Sequence, residues 1–303
     1  MATNANTVPQ EVLDEILEGL KGVEDPIIDK IPGIQSYMTD ALSGTQPVLP
    51  SSATLPRVTD EDAQGLPEGA EPDEIDINWS EVDFKNGRYP GFATITDGVA
   101  QAVGRGQYTG LETLMRQAKR VSAAKVNRKL NLLLKSATLN ETQGVAAGAW
   151  SVETSTPIKD MQMAIRKIGA APNLGIFGHN VLQALQVHQD FLAKSQNFEA
   201  GVVDKMEVAE LLRKAFGLTH VIIGGQLYNA SGEGVAPTLG YEFDGVAWLG
   251  YAEQLVKTEM NDISPNVKEA YNIRKEASEL LFSRRLDILR PHKECGVIIT
   301  GVI

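Results

Sequence analysis

Two of the chain's four histidines, His179 and His188, fall in the stretch NLGIFGHNVLQALQVHQDFLAKSQ, and Asp190 follows two residues after the second. Two imidazoles and a carboxylate are a donor set for zinc, and an imidazole beside a carboxylate is also the pair that activates a nucleophile. The spacing argues against a metal. Leu174 to Phe177 reads as a short buried strand and Asn180 to Val187 as the helix after it. Nine residues turn about 900° around a helix axis, so the second imidazole points half a turn away from the first. Helical zinc pairs stand four apart, and neither a second histidine pair nor a cysteine sits at ligand spacing. His179 is therefore expected at a strand-to-helix joint, with His188 and Asp190 as a solvated helix end.

Other catalytic patterns are missing. There is no G-x-S-x-G elbow, no P-loop and no G-x-G-x-x-G fingerprint. Gly224-Gly225 and Gly232-Glu233-Gly234 fall in a turn-rich stretch that opens no helix. The acidic run Glu68, Glu71, Asp73, Glu74 and Asp76 has the oxygen donors for a hard cation but lacks the Asp/Asn and glycine order of an EF-hand loop. A solvated or subunit-facing acidic loop fits it better, and no cofactor is implied.

The elements that carry these residues follow from pattern. Val8, Val12, Leu13, Ile16, Leu17 and Leu20 mark a short amphipathic helix over residues 7–20, with Thr7 and Gln10 as a capping box. From Pro32 to Pro72 repeated prolines and glycines describe an extended arm and loop, an unusual length of unsupported chain in a monomer. Ile75, Ile77 and Trp79 alternate, and Asn86-Gly87 is a preferred pair for a type I′ turn, so Ile75 to Ile95 reads as a long acidic β-hairpin. A long helix follows. Leu111, Leu114, Met115, Ala118, Val121, Val126, Leu130, Leu133 and Leu134 form its apolar stripe, while Arg116, Lys119, Arg120, Lys125, Arg128, Lys129 and Lys135 lie largely off it. At about 1.5 Å per residue it spans roughly 40 Å. Beyond Gly148 come helices from Pro157 and over Lys205 to Phe216, strands at Val221 to Ile223 and Val246 to Tyr251, and a strand-rich tail from Asn272. That order predicts that the chain's two ends share a domain around a central α/β insertion.

Composition sets the class. With 303 residues, 43% of them hydrophobic, the chain can bury one large core or two modest ones. The single cysteine, Cys295, excludes an internal disulfide and suits a reducing cytosol. Neither a signal peptide nor an apolar run of membrane-spanning length appears, so a protein without a membrane role is expected. The net charge of −11 argues against general nucleic-acid binding. It is unevenly spread: residues 1–83 hold 18 acidic residues against 3 basic ones, leaving the remainder mildly basic. The basic helix lacks interleaved aromatics for reading nucleic acid. It can lie near phosphate without reading sequence, pair with the acidic arm of a neighbouring copy, or be a solvated face.

Extended arm, acidic hairpin, long basic helix, α/β insertion and β tail come in an order that resembles the major capsid proteins of tailed bacteriophages. The likeness is strongest in TPIKDMQMAIRKIG followed by PNLGIFGHNVLQALQVHQDF, then MEVAELLRKAFGLTHVIIGGQLYNAS, GVAWLGY, and RKEASELLFSRRLDILRPHKECGVIITGVI. It runs from Leu49 to the end.

The resemblance implies an α+β capsid fold without enzymatic activity. Its parts would be an N-terminal arm (1–47), an extended loop (48–95), a peripheral domain with a spine helix (96–156), an axial domain (157–261) and return strands (262–303). It implies hexamers and pentamers of this chain in an icosahedral virion shell, assembled in the host cytoplasm around double-stranded DNA that is enclosed without sequence recognition. A separate scaffolding protein is expected, since the segment before the extended loop carries one short helix and no long coiled-coil pattern, and the resemblance implies a portal and a cement protein as further partners. The expected subunit interface sets Glu61, Asp62, Glu68, Glu71, Asp73 and Glu74 against Arg116, Lys119, Arg120 and Arg128. An encapsulin-like nanocompartment and a soluble α/β enzyme are the alternatives.

Overall fold

The computed structural model describes residues 10–20, 25–48, 80–96, 108–168, 171–195, 201–229, 231, 235–261, 266–272 and 277–303. Helix α1 (Gln10–Gly19) is followed by a single 3-10 turn at Ile27–Lys30, then strands β1 (Gln35–Thr39), β2 (Ser43–Val48), β3 (Ser80–Lys85) and β4 (Gly87–Thr96). Next come the long helix α2 (Tyr108–Lys135), β5 (Glu141–Gly144), α3 (Pro157–Ile165), β6 (Leu174–Gly178), α4 (His179–Val187), the short α5 (Gln189–Leu192) and α6 (Lys205–Phe216). The rest is strand: β7 (His220–Gly224), β8 (Leu227–Asn229), β9 (Leu239–Tyr241), β10 (Ala247–Gly250), β11 (Val256–Met260), β12 (Asn266–Asn272), β13 (Ala277–Leu289) and β14 (Gly296–Thr300).

Two five-stranded sheets organise these elements. In the first, the long β13 pairs antiparallel with β4, β11 and β12, and β1 adds parallel to β11. In the second the order is β5-β14-β10-β6-β7. The expected sharing of one domain by both chain ends holds for β13 alone. β14 lies in the second sheet, between β5 and β10, because residues 296–299 are buried on both faces and need cover from both sides.

Helix α2 crosses the first sheet along its stripe: Leu111, Met115, Ala118, Val126, Leu130 and Leu134 are each at most 3% exposed. The approach to β4 is close enough that a Cβ at Gly91 would lie 1.7 Å from the Ala118 carbonyl oxygen, so only glycine fits there. Val121, expected in the stripe, is 45% exposed. Ser122 takes the inward position, its hydroxyl donating to the Tyr89 carbonyl at 2.6 Å. The helix ends on Asn140, whose buried amide donates to the Leu133 carbonyl at 2.8 Å while its oxygen accepts from Trp248 Nε1, also at 2.8 Å.

The second sheet is covered on both faces. β6 turns Phe177 toward a core shared with α3, α4 and α6, and Leu174 and Ile176 toward the core under α2. Helix α6 has the predicted bounds: the Asp204 side chain accepts from the Met206 N–H at 2.8 Å, and Gly217, at φ +67°, ends the helix in a left-handed conformation.

The Asn86-Gly87 pair does not close a hairpin. β3 pairs with β2, Ser43 opposite Lys85 and Val48 opposite Ser80, while β4 departs into the first sheet. Asn86 is buried instead as a joint: its N–H donates to the Leu42 carbonyl at 2.8 Å, its side-chain amide to the Ala41 carbonyl at 3.1 Å, and its side-chain oxygen accepts from Thr258 at 2.9 Å. A two-stranded ribbon thus forms from residues more than thirty positions apart. The expected alternation at Ile75, Ile77 and Trp79 lies outside the described residues, as do Thr7 and Val8.

Candidate subunit interface

His179 and His188 stand at opposite ends of α4. His188 is 4% exposed, so the expectation of a solvated helix end is wrong for it. Its Nδ1 accepts from the Asp190 N–H at 3.1 Å, capping α5, which leaves Nε2 to carry the proton and donate to Ser155 Oγ at 3.1 Å. The Ser155 hydroxyl in turn donates to the Val152 carbonyl at 2.7 Å. Every polar atom of this chain of bonds is spent on structure. The His179 ring lies 4.4 Å from that of Tyr241, and burial, with the Lys205 charge adding to it, depresses its pKa. Among the described residues no group of three His, Cys, Asp or Glu side chains is placed to hold a metal ion.

The basic side chains of α2 divide into two sets. Lys119 is drawn inward, 8% exposed, ion-paired with Asp25 at 2.6 Å and donating to the Leu20 carbonyl at 2.5 Å. Lys129 pairs with Asp287 at 3.2 Å. These cations tie the amino-terminal segment and β13 to the helix. Arg116, Arg120, Lys125, Arg128 and Lys135 remain at the surface. Arg116 pairs with Glu112 one turn away at 2.9 Å, and the Arg128 guanidinium lies 5.5 Å from the Tyr228 ring centroid. The structure therefore brings Arg120 and Arg128 together on one exposed face and turns Lys119 away from it. Glu61, Asp62, Glu68, Glu71, Asp73 and Glu74 lie outside the described residues.

Sequence reasoning did not single out what faces Arg120 and Arg128. The β8-β9 hairpin stands opposite α2, and between them runs a groove of about 630 Å³. Lys125 and Lys135 line it with Val121 and Leu132, 45% and 63% exposed, and from the hairpin Leu227 and Tyr228. Leu132, an apolar residue off the helix stripe, was the available signal.

A second polar cluster holds the amino-terminal segment down. Arg284 on β13 forms ion pairs with both Asp29 and Glu259, and Lys257 reaches the same two carboxylates at 2.9 and 3.4 Å. Burial, the largest influence on Asp29, favours its neutral form, but the hydrogen bond and charge of Arg284 together with Lys257 outweigh it and hold the carboxyl below its ordinary range. Close by, Asn127 on α2 accepts from the Ile27 N–H at 2.7 Å and donates to Gln226 at 2.6 Å and Glu242 at 2.7 Å. One side chain thus joins the amino-terminal turn, the long helix and the strand hairpin.

No family model and no curated protein matches the sequence. Solved structures do. A phage-related protein from Bordetella bronchiseptica RB50 superposes with a TM-score of 0.65 at 12% identity, covering 95% of this chain and 97% of that one. A virus-like particle from Pyrococcus furiosus gives 0.58 at 9% identity over 96% and 98%. A chain from Microbacterium phage Oxtober96 gives 0.55 at 16% identity over 91% of each. The chain has the α+β fold of phage-capsid-like proteins, and has it over nearly its whole length.

Proposed function

We propose that the chain is a shell-forming structural protein, the major capsid protein of a tailed phage head. What carries the reading is the near end-to-end fold likeness to phage and virus-like-particle chains at negligible sequence identity. In this reading α2 is the spine helix and residues 1–47 the arm. Residues 48–95, rooted in the β2-β3 ribbon, are the extended loop, 96–156 the peripheral domain, 157–261 the axial domain and 262–303 the return strands. Hexamers and pentamers close the shell around double-stranded DNA, with scaffolding, portal and cement proteins as partners, in the virion after assembly in the host cytoplasm. The surface cations Arg116, Arg120 and Arg128 face the acidic residues 61–74 of a neighbour, an arrangement that fixes register and disfavours wrong pairings.

Sedimentation velocity of the purified chain, with and without a co-expressed scaffolding candidate, tests this, followed by negative-stain images of any fast peak. Closed shells are expected; a sharp monomer or dimer under every condition would sink the reading. Deleting Glu61 to Pro72 is expected to leave a folded chain that no longer assembles, and normal shells from that variant would remove the loop from the mechanism. A second reading, a nanocompartment around protein cargo, draws on the likeness to the Pyrococcus furiosus virus-like particle. Nucleic-acid content of purified particles separates the two.

A further inference from the structure

Arg290 stands where the chain passes from one sheet to the other, just after β13 ends at Leu289 and before β14 begins at Gly296. Its guanidinium has a built seat. Nε donates to the Leu139 carbonyl at 3.2 Å, and the guanidinium lies 5.2 Å from the centroid of the buried Trp248 ring. Gly296 closes the seat: a Cβ there would come within 2.5 Å of both Nη2 and the Trp248 ring, so only glycine fits.

The other edge of the fork is left over. Arg290 is 5% exposed, yet neither Nη1 nor Nη2 has a hydrogen-bond partner among the described residues. In the same turn His292 Nε2 is a further buried nitrogen without one. The carboxylates at hand are engaged elsewhere: Glu141 pairs with Lys293 at 3.3 Å, and Glu294 stands 3.9 Å from His292 Nδ1. The neighbouring Asn140 gives its amide to the Leu133 carbonyl and its oxygen to Trp248 Nε1. Burial pulls the Arg290 pKa down to about 10, with Cys295 and Glu294 opposing the shift, so the charge is present at neutral pH. A buried cation without a counter-charge is strongly destabilising, and a methionine would pack on Trp248 without that cost. We infer that the Nη1–Nη2 edge of Arg290 is a binding site for a small inorganic anion, held at the turn that joins the two sheets. Two parallel N–H groups match two oxygens of an oxyanion or converge on one halide. The close wall at Gly296 keeps the ion small, and Lys293 and Glu294 are exposed, so its path from solvent is short. The site belongs to the folded chain and stands whether or not that chain builds shells.

The test unfolds the full chain in urea at fixed ionic strength, with bulky gluconate replaced stepwise by chloride in one series and by phosphate in another. An ion bound only by the folded state raises the midpoint and the rise levels off as the site fills. In at least one series a rise of about 0.5 M urea is expected at tenfold excess over the dissociation constant. Arg290→Met is expected to show no such rise. Saturation at lower phosphate than chloride identifies an oxyanion, and the reverse order a halide. No rise in either series for wild type, or the same rise in Arg290→Met, would overturn the site and leave only screening of surface charge. A second measurement needs no variant: wild-type crystals are soaked separately in bromide and in selenate. An anomalous peak on the Nη1–Nη2 edge is expected in at least one soak. Peaks confined to surface lysines and arginines in both, with water on that edge, would sink the inference.

Discussion

The two sheets are stabilised differently. The second is nearly dry: every residue of β6 and β10 is buried, and Trp150, Phe177, Leu182, Leu212 and Leu249 pack between its strands and their helices, where the buried Asp160 carboxylate is satisfied by the Trp150 Nε1–H at 2.9 Å and the Ala146 N–H at 3.0 Å. The first sheet has an apolar core beneath α2 but is ringed by polar clamps, Asp29 with Arg284, Lys119 with Asp25, Lys129 with Asp287, and Asn86 with Thr258. Apolar burial is non-directional and makes a rigid body; hydrogen bonds and ion pairs fix direction and partner. The segments that the clamps hold are the amino-terminal turn and the β2-β3 ribbon. The contrast is between a region held mainly by packing and one whose outlying segments are fixed by paired polar groups.

The widest break in that contrast comes from the dry side. Phe177→Ala removes a fully buried ring and is expected to cost about 4 kcal/mol, read as a lower urea midpoint for the whole cooperative transition. A change confined to the second sheet, with β13 amides still protected, would mean that the two sheets unfold separately. Arg284→Met leaves the partly exposed carboxylates of Asp29 and Glu259 with only Lys257 between them and is expected to cost about 2 kcal/mol. That loss should be local. Hydrogen exchange is expected to quicken at Ile27 and Asp29 while β6 and β10 keep their protection; an even loss across both sheets would show that the clamp belongs to the common core.

What could be read before the structure depended on the range of the interaction that decides each element. Helix α6 was legible to the residue because its Asp204 cap and Gly217 stop are local. The stripe of α2 was legible except at Val121, where the Ser122 bond to Tyr89, thirty-three positions away, turns the helix face. Asn86-Gly87 misled for the same reason. Its turn chemistry is a local preference, and the bonds from Asn86 to Ala41, Leu42 and Thr258 override it. His188 looked solvated because its partner Ser155 belongs to a loop preceding α3. The charge on α2 was plain in the sequence. Which cations point inward, and that exposed leucines share the groove with the rest, is set by the segment around Asp25 and by the β8-β9 hairpin, neither of which carries a pattern that names its partner.

The smallest effect, and the finest discrimination, concerns pH at the amino-terminal clamp. Because the folded state holds the Asp29 carboxyl below its ordinary value near 3.8, the stabilisation it contributes is complete above that value and is lost as pH falls through the folded pKa. The loss should be milder than that of Arg284→Met. A protonated Asp29 is neutral and still reaches solvent, and Arg284 keeps Glu259 as a partner, whereas removing the guanidinium leaves two carboxylates with Lys257 alone. Hydrogen exchange at Ile27 and Asp29, followed downward from pH 5, is expected to quicken below about 3.8 before β6 and β10 respond. Glu259 faces the same two cations, so the deciding variant is Asp29→Asn. It should start with faster exchange at the turn and lose the acid step. If the step survives in Asp29→Asn, another carboxylate drives it, and the clamp is held by Glu259 instead of by the residue that joins the amino-terminal turn to the sheet.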